Sequence, residues 1–104
     1  MEVNRKRLIY AILREINANN KELQYNADEF DVDADIFIEV MEIIDDEEFV
    51  KGLHIVRTLD SPPELLFQKL RITLKGIEFL ENNSEWIKIY KGIKELKSWI
   101  SFTK

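Results

Sequence analysis

The 104-residue sequence contains no cysteine and only one histidine, His54. The absence of cysteine excludes disulfides, thiolate metal sites and cysteine nucleophiles, and is typical of a protein from a reducing cytosol. One histidine supports neither a two-histidine metal motif nor a Ser-His-Asp triad. No apolar run approaches the ~20 residues of a membrane span, and the first residues do not resemble a signal peptide. We therefore expect a cytoplasmic protein that does not enter a membrane.

Motifs for catalysis and cofactor binding are also missing. There is no phosphate-binding glycine loop, nucleophile elbow or dinucleotide fingerprint. An acidic cluster offers the oxygen ligands that suit calcium and magnesium, but it lacks the glycine and the distal glutamate of an EF-hand loop. It consists of Asp28, Asp31, Asp33 and Asp35. His54 lies on a predicted strand and is interpreted as a surface or partly buried residue. We predict a protein that is not an enzyme and holds no metal and no cofactor.

The chain has no excess of positive charge. Its 15 basic and 20 acidic residues give a net charge of −5, which disfavours a surface built for non-specific nucleic-acid binding. In residues 21–50 one lysine stands against twelve carboxylates, whereas residues 1–20 and 51–104 carry more basic than acidic side chains. This asymmetry predicts a dipolar surface that repels polyanions on one side. The alternative is a solvated acidic face that only maintains solubility.

Hydrophobic periodicity and turn residues divide the chain into helices and one hairpin. Its length and its 45% hydrophobic content fit one domain. We expect a helix capped by Asn4, a short helix from Asn26 to Phe30, a helix from Ala34 to Glu48, strands Val50–Thr58 and Leu65–Thr73, a helix from Leu74 to Asn82 and a final helix from Glu85 to about Ile100. This order predicts an α+β, mainly helical fold. It is that of a single winged helix-turn-helix domain over residues 1–104, with three helices, a two-stranded wing hairpin and two C-terminal helices.

Three segments carry a recognisable family pattern. They are Asn4-Arg5-Lys6-Arg7-Leu8-Ile9-Tyr10-Ala11-Ile12-Leu13, then Ile72-Thr73-Leu74-Lys75-Gly76-Ile77-Glu78-Phe79-Leu80-Glu81-Asn82-Asn83-Ser84, and the lysine-rich tail ending Lys97-Ser98-Trp99-Ile100. Together they resemble the YjcQ family, small proteins of Gram-positive bacteria and their phages. The resemblance implies a winged-helix fold, a bacterial or prophage origin and a role in DNA binding. That role is inferred from the fold, and a fold alone does not establish a function.

The third predicted helix is the one that a helix-turn-helix places in the DNA major groove. Its outer face carries none of the Arg, Lys, Asn or Gln side chains that usually contact guanine and adenine. It consists of Asp35, Ile38, Glu39, Glu42, Asp45 and Asp46. Because phosphates repel carboxylates, we do not expect this helix to dock in a major groove. The same face is a candidate surface for a basic protein partner, or a mimic of nucleic acid.

Basic residues lie instead on the predicted hairpin and at the start of the first helix. The candidate DNA-contacting residues are Arg5, Lys6, Arg7, Lys51, Arg57, Lys69, Arg71 and Lys75. Alternatively, these residues pair with the acidic face or keep the strand edges soluble. Two functions follow. The first is a regulator-like protein that binds double-stranded DNA through the wing and the N-terminal basic residues. The second is a protein-interaction module whose acidic helix binds a basic partner, without DNA.

The final predicted helix is rich in aromatic residues. Trp86, Tyr90 and Trp99 are a large aromatic area for one small core to cover, and such side chains are favoured at protein interfaces. One hypothesis is that these three residues support a homodimer. The alternative is that the helix packs on the first helix.

Overall fold

A computed structural model describes residues 3–19 and 23–101. The longer elements are α1 (Arg5–Asn17), α2 (Ala34–Asp46), β1 (Val50–Val56), β2 (Glu64–Ile72) and α3 (Leu74–Asn82). The chain then forms two 3-10 segments, Ser84–Lys88 and Ile93–Glu95, and a last short helix, α4 (Leu96–Ile100). The predicted α+β composition, with a two-stranded antiparallel hairpin among helices, is confirmed.

Helix α1 is the central element of the fold. Asn4 caps its N-terminus, because the side-chain oxygen of Asn4 accepts a hydrogen bond from the backbone N–H of Arg7 at 3.1 Å. Residues 7–13 and Ile16 are all buried, so the middle of the helix is covered on every side. It contacts α2, β2, α3 and α4. The predicted first helix is therefore confirmed, and it forms the centre of the core.

The segment between α1 and α2 differs from the prediction of a short helix over residues 26–30. The chain there forms successive turns, in which the side-chain oxygen of Asn26 accepts a hydrogen bond from the N–H of Glu29 at 2.8 Å. Asp31 has φ of 53°, in the left-handed region, and this conformation ends any helical continuation. So short a segment gains too few backbone hydrogen bonds to offset the cost of helix nucleation. Fully buried Phe30 attaches the turns to the core.

The hairpin is antiparallel and contains a bulge at its base. Lys51 is opposite Arg71, and the next pair along the ladder is Leu53 with Phe67, so the register shifts at Gly52. Gly52 has φ of 87°, and a Cβ at this position would lie 2.2 Å from the backbone oxygen of Gln68. Only glycine satisfies both conditions without strain. Strand β1 ends at Val56 rather than at Thr58, which leaves Arg57 beyond the strand.

The C-terminal segment is not the continuous helix predicted over residues 85–100. Gly92 adopts φ of 100° between the two 3-10 segments, and only residues 96–100 form an α-helix. Nine residues at ~100° each would place Tyr90 and Trp99 on opposite faces of one helix. In the structure both rings contact Tyr10 of α1, with centroids 6.0 and 5.7 Å away. The break at Gly92 allows both contacts, so aromatic packing prevails over local helical periodicity.

The same packing bears on the self-association hypothesis. Tyr90 and Trp99 are only 8% and 5% exposed, and Trp86 packs edge-on against Tyr10 with centroids 5.3 Å apart. The hypothesis placed these rings on a surface, whereas the structure buries two of the three and partly buries Trp86. The alternative, packing on α1, is the arrangement observed. The exposed apolar side chains of this segment are Ile87 and Ile89.

Candidate functional site

Arg7, one of the eight basic residues predicted to contact DNA, is buried. Its guanidinium carbon lies 4.0 Å from the ring centroid of Trp99 and 5.2 Å from that of Trp86. It donates a hydrogen bond to the backbone oxygen of Trp99, and the indole N–H of Trp99 donates to the backbone oxygen of Arg7 at 2.9 Å. Burial lowers the pKa of Arg7. The prediction that Arg7 contacts DNA is therefore wrong, since only 3% of its surface is exposed.

Three more of these basic residues form ion pairs with carboxylates of α2 and of the turn after it. Arg5 pairs with Glu39, with 2.5 Å between nitrogen and oxygen. Arg57 pairs with Glu42. Lys75 pairs with Glu48 at 3.2 Å. All three pairs involve solvent-exposed side chains, so each contributes little to stability, but each reduces the positive charge available to a phosphate.

A basic group without such pairing remains at the base of the hairpin. Lys51 is opposite Arg71 in the ladder, and a guanidinium nitrogen of Arg71 donates to the backbone oxygen of Lys69 at 3.0 Å. In residues 3–19 and 23–101, no carboxylate forms an ion pair with these three side chains. Lys6 is exposed on α1, with its ammonium 5.7 Å from the Trp86 ring centroid. The eight residues are thus not brought together into one basic surface.

The predicted outer face of α2 lies toward solvent, although not all of its carboxylates are free. Asp35, Asp45 and Asp46 are exposed, whereas Glu39 and Glu42 are held by the two arginines. The exposed acids continue into Glu47 and Glu48, and no basic residue lies in the last turn of α2. A helix is electronegative at its C-terminal end. The negative charges of these acids therefore interact unfavourably with the negative end of the helix dipole. Together they make the C-terminal end of α2 strongly electronegative.

Ile38, the apolar member of that face, lines an open groove of about 640 Å³ between α2, β2 and the segment preceding α2. We call this the α2–β2 groove. Its apolar lining is Leu23, Tyr25, Ala27, Ala34, Phe37, Ile38, Leu65, Phe67 and Leu70, with Gln24 and Asn26 as the polar members. The rings of Tyr25 and Phe67, both in this lining, pack against each other with centroids 6.2 Å apart. Burial, together with the negative charge of Glu15, raises the pKa of Tyr25 to about 12.

Sequence reasoning missed this groove because its walls come from three separate parts of the chain. The signal present was indirect. Ile38 is an apolar residue within an acidic helix face. Leu66 and Phe67 are adjacent on a strand and therefore point to opposite faces of the hairpin, so a fold with one face in solvent cannot bury both of them. In the structure they are 50% and 41% exposed, on opposite faces of the hairpin.

His54 and the acidic residues, the remaining candidates for a catalytic or metal-binding role, are not arranged as such a site in the described residues. His54 is exposed on the outward face of the hairpin opposite Leu66. The described part of the chain contains no group of three His, Asp or Glu side chains arranged to hold a metal ion. Within that same part, no helix has the length and apolar character needed to cross a bilayer.

Comparison with known proteins identifies relatives along nearly the whole chain. Residues 6–99 match the family model described as "YjcQ protein". The "Uncharacterized protein YjcQ" of Bacillus subtilis (strain 168) is 36% identical over 98 residues, which cover 94% of this chain and 99% of that protein. No solved structure shows significant similarity. The family resemblance of the three sequence segments is thus confirmed, and the chain belongs to the YjcQ family.

Proposed function

We propose that this chain is a protein-interaction module that binds a basic partner through the exposed side of α2. The module has a winged-helix architecture in this proposal. The order of α1, the turns before α2, α2 itself and the hairpin supports that assignment. The turns at residues 26–32 take the place of the second helix, and α2 takes the place of the recognition helix.

One observation carries the proposal. Two arginines of the protein form ion pairs with the acidic helix α2, and the remaining carboxylates of that helix keep their negative charge. Arg5 and Arg57 neutralise Glu39 and Glu42, while Asp35, Asp45 and Asp46 face solvent. A DNA duplex that approached α2 would meet carboxylates and would release few counterions, since the nearest cations are already paired. A cationic protein surface would instead be attracted to the same place.

Binding of a defined cationic peptide tests the proposal. The probe is a fluorescently labelled peptide of lysine and glutamine, measured by anisotropy across a salt series, with duplex DNA of random sequence measured in parallel. The proposal predicts salt-dependent binding of the peptide and none of the duplex. Replacing Asp35, Asp45 and Asp46 by asparagine removes three charges from α2, and this variant is expected to bind the peptide less tightly.

A matched variant controls for net charge. Replacing Glu78, Glu81 and Glu85, which are exposed on α3 and the 3-10 segment after it, by glutamine changes the net charge of the protein by the same amount. This control variant is expected to retain most of the affinity for the peptide. Equal losses in the two variants would mean that the peptide responds only to net charge, and the proposal would be rejected.

A second candidate function, DNA binding by the hairpin, is supported by the basic group at its base, with which no carboxylate of residues 3–19 and 23–101 forms an ion pair. Lys51, Lys69 and Arg71 lie close together away from the ion pairs of α2. If this group contacts phosphates, duplex affinity falls steeply with salt, and replacing all three residues by glutamine abolishes it. Duplex binding that survives this replacement would exclude the hairpin as the contact.

A further inference from the structure

We infer that the α2–β2 groove receives the apolar side chains of a cationic amphipathic helix from a protein partner. This inference rests on the proposed function and extends it, because the acidic side of α2 specifies only the charge of the partner. The groove specifies its shape and its apolar content.

The groove exposes aromatic and aliphatic surface that no described part of the chain covers. Phe67 is 41% exposed on one wall, Tyr25 packs against it, and buried Phe37 forms part of the floor. Exposed apolar area of this kind is unfavourable in water, and an apolar partner surface that covers it gains free energy. Its volume of about 640 Å³ lies within the ~300–1,000 Å³ typical of sites that enclose ligand groups. Several side chains of a partner therefore fit.

Charges next to the groove select among possible occupants. Asp35 follows Ala34 in α2, and Asp28 follows Ala27 in the turns, so exposed carboxylates are adjacent to two lining residues. Glu39, which follows the lining residue Ile38, is already paired with Arg5. These carboxylates oppose an anionic lipid surface, a fatty acid or a nucleic acid. They favour an apolar surface flanked by lysine and arginine. The combination of an apolar floor and acidic margins is complementary to a basic amphipathic helix.

The construction of the groove favours a helix over an extended strand. Side chains of α2, β2 and the preceding turns form its walls. Strand addition depends on the backbone groups of an exposed sheet edge, whereas a groove walled by side chains suits a helix that inserts residues at i, i+3, i+4 and i+7.

Three labelled peptides of about 14 residues, near the ~12–15 residues at which a helix becomes stable, test this inference. All carry the same number of lysines. In the first, leucines follow the i, i+3, i+4, i+7 spacing of a helix. In the second, glutamines replace the leucines. In the third, leucine and lysine alternate as in a strand. We expect the first peptide to bind about tenfold or more tighter than the second, to retain binding at high salt and to gain helical circular dichroism on binding.

Two adjacent strand residues provide the matched variants. Phe67→Ser removes groove surface, whereas Leu66→Ser removes a similarly exposed apolar side chain from the opposite face of the hairpin. The first change is expected to reduce affinity for the leucine peptide to the level of the glutamine peptide, and the second to leave it unchanged. Ile38→Ser on α2 serves as an independent second groove variant, and thermal melting verifies that each variant is folded.

The outcomes separate failure of this inference from failure of the proposed function. If the helical leucine peptide and the glutamine peptide bind equally, or if Phe67→Ser and Ile38→Ser change neither, the inference is wrong and the charge-based function stands. Tighter binding of the alternating peptide also overturns the inference. If no cationic peptide binds, both are wrong. If sedimentation shows a dimer that Phe67→Ser dissociates, a second copy occupies the groove and the inference is again wrong.

Discussion

The guanidinium of Arg57, one residue beyond the end of β1, forms an ion pair with the carboxylate of Glu42 on α2. A residue expected to contact a DNA phosphate is therefore bound to the helix that a winged-helix protein would present to the major groove. This contact links the end of β1 to α2.

Replacing Arg57 by glutamine tests the consequence of that pair. We expect the free energy of unfolding to change by less than about 1 kcal/mol, because the pair is exposed to solvent. Release of Glu42 adds a free carboxylate to α2, so affinity for a lysine-rich peptide at low salt is expected to increase. Peptide anisotropy and urea unfolding measure the two effects. A weaker interaction with the peptide would contradict the proposed role of α2.

Arg7 is expected to be a stabilising residue of the core. Arg7→Lys retains the charge but loses the planar stacking on Trp99 and the directed hydrogen bond to its backbone oxygen. We expect a loss of about 1–3 kcal/mol in the free energy of unfolding. The neighbouring exposed substitution Lys6→Gln is the control, with an expected change within about 0.5 kcal/mol. Urea unfolding followed by tryptophan fluorescence distinguishes the two. Equal effects would show that the stacking contributes nothing.

The acidic end of α2 is expected to cost stability. Asp46 lies in the last turn, at the electronegative end of the helix, whereas Asp35 lies in the first turn, at the electropositive end. Neutralising Asp46 to asparagine is expected to stabilise the protein by about 0.3–1 kcal/mol, and neutralising Asp35 to destabilise it by a similar amount. Thermal melting at low salt compares them. Shifts of the same sign would mean that the helix dipole does not determine the effect.

Gly52 and Gly92 allow two costs of a glycine-to-alanine substitution to be separated: the steric clash of the added Cβ and the strain of a left-handed backbone conformation. Both have positive φ, but a Cβ on Gly52 would contact the backbone of Gln68 and Lys69, whereas a Cβ on Gly92 would meet no atom within 4 Å. Gly92→Ala is expected to cost about 1–2 kcal/mol for the left-handed conformation alone. Gly52→Ala is expected to cost a further ~1–3 kcal/mol, because strand backbone must move. Chemical denaturation of the two variants measures the difference. An equal loss of stability in the two variants would mean that the close backbone contact of Gly52 at the bulge is not present.

Alkaline pH is expected to destabilise the fold through its three tyrosines. Burial raises the pKa of Tyr10. Burial and Glu15 raise the pKa of Tyr25 to about 12, and burial followed by the hydrogen bond to Glu15 raises that of Tyr90 above its ordinary value of 10.0. The folded state thus binds these protons more tightly than the unfolded state. Their stabilisation is complete below pH 10 and is lost as pH rises through the folded pKa values.

Unfolding free energies measured from pH 9 to pH 12 test this prediction, and tyrosinate absorbance follows the titration. Tyr25→Phe and Tyr90→Phe are each expected to reduce the slope above pH 10. An unchanged slope in both variants would assign the alkaline destabilisation to other groups.

Local signals were sufficient for the elements that depend on neighbouring residues. The capping prediction for Asn4 is confirmed, since its side chain accepts a hydrogen bond from the first turn of α1. Hydrophobic periodicity also identified α1 and α2, because this pattern acts over a few residues. Where the segment was short, as at residues 26–30, local propensity did not decide the conformation.

Composition and periodicity predicted an α+β fold with an acidic α2, and the tertiary structure decided how those residues are used. Distant segments of the chain must come together before three contacts can form. These are the ion pair of Arg57 with Glu42, the stacking of Arg7 on Trp99 and the ring contact of Phe67 with Tyr25. Likewise, Gly92 breaks the last helix so that Tyr90 and Trp99 reach Tyr10. Backbone conformation responds to interactions between near neighbours. Ion pairing, ring packing and the groove depend on distances through space, which no local pattern encodes.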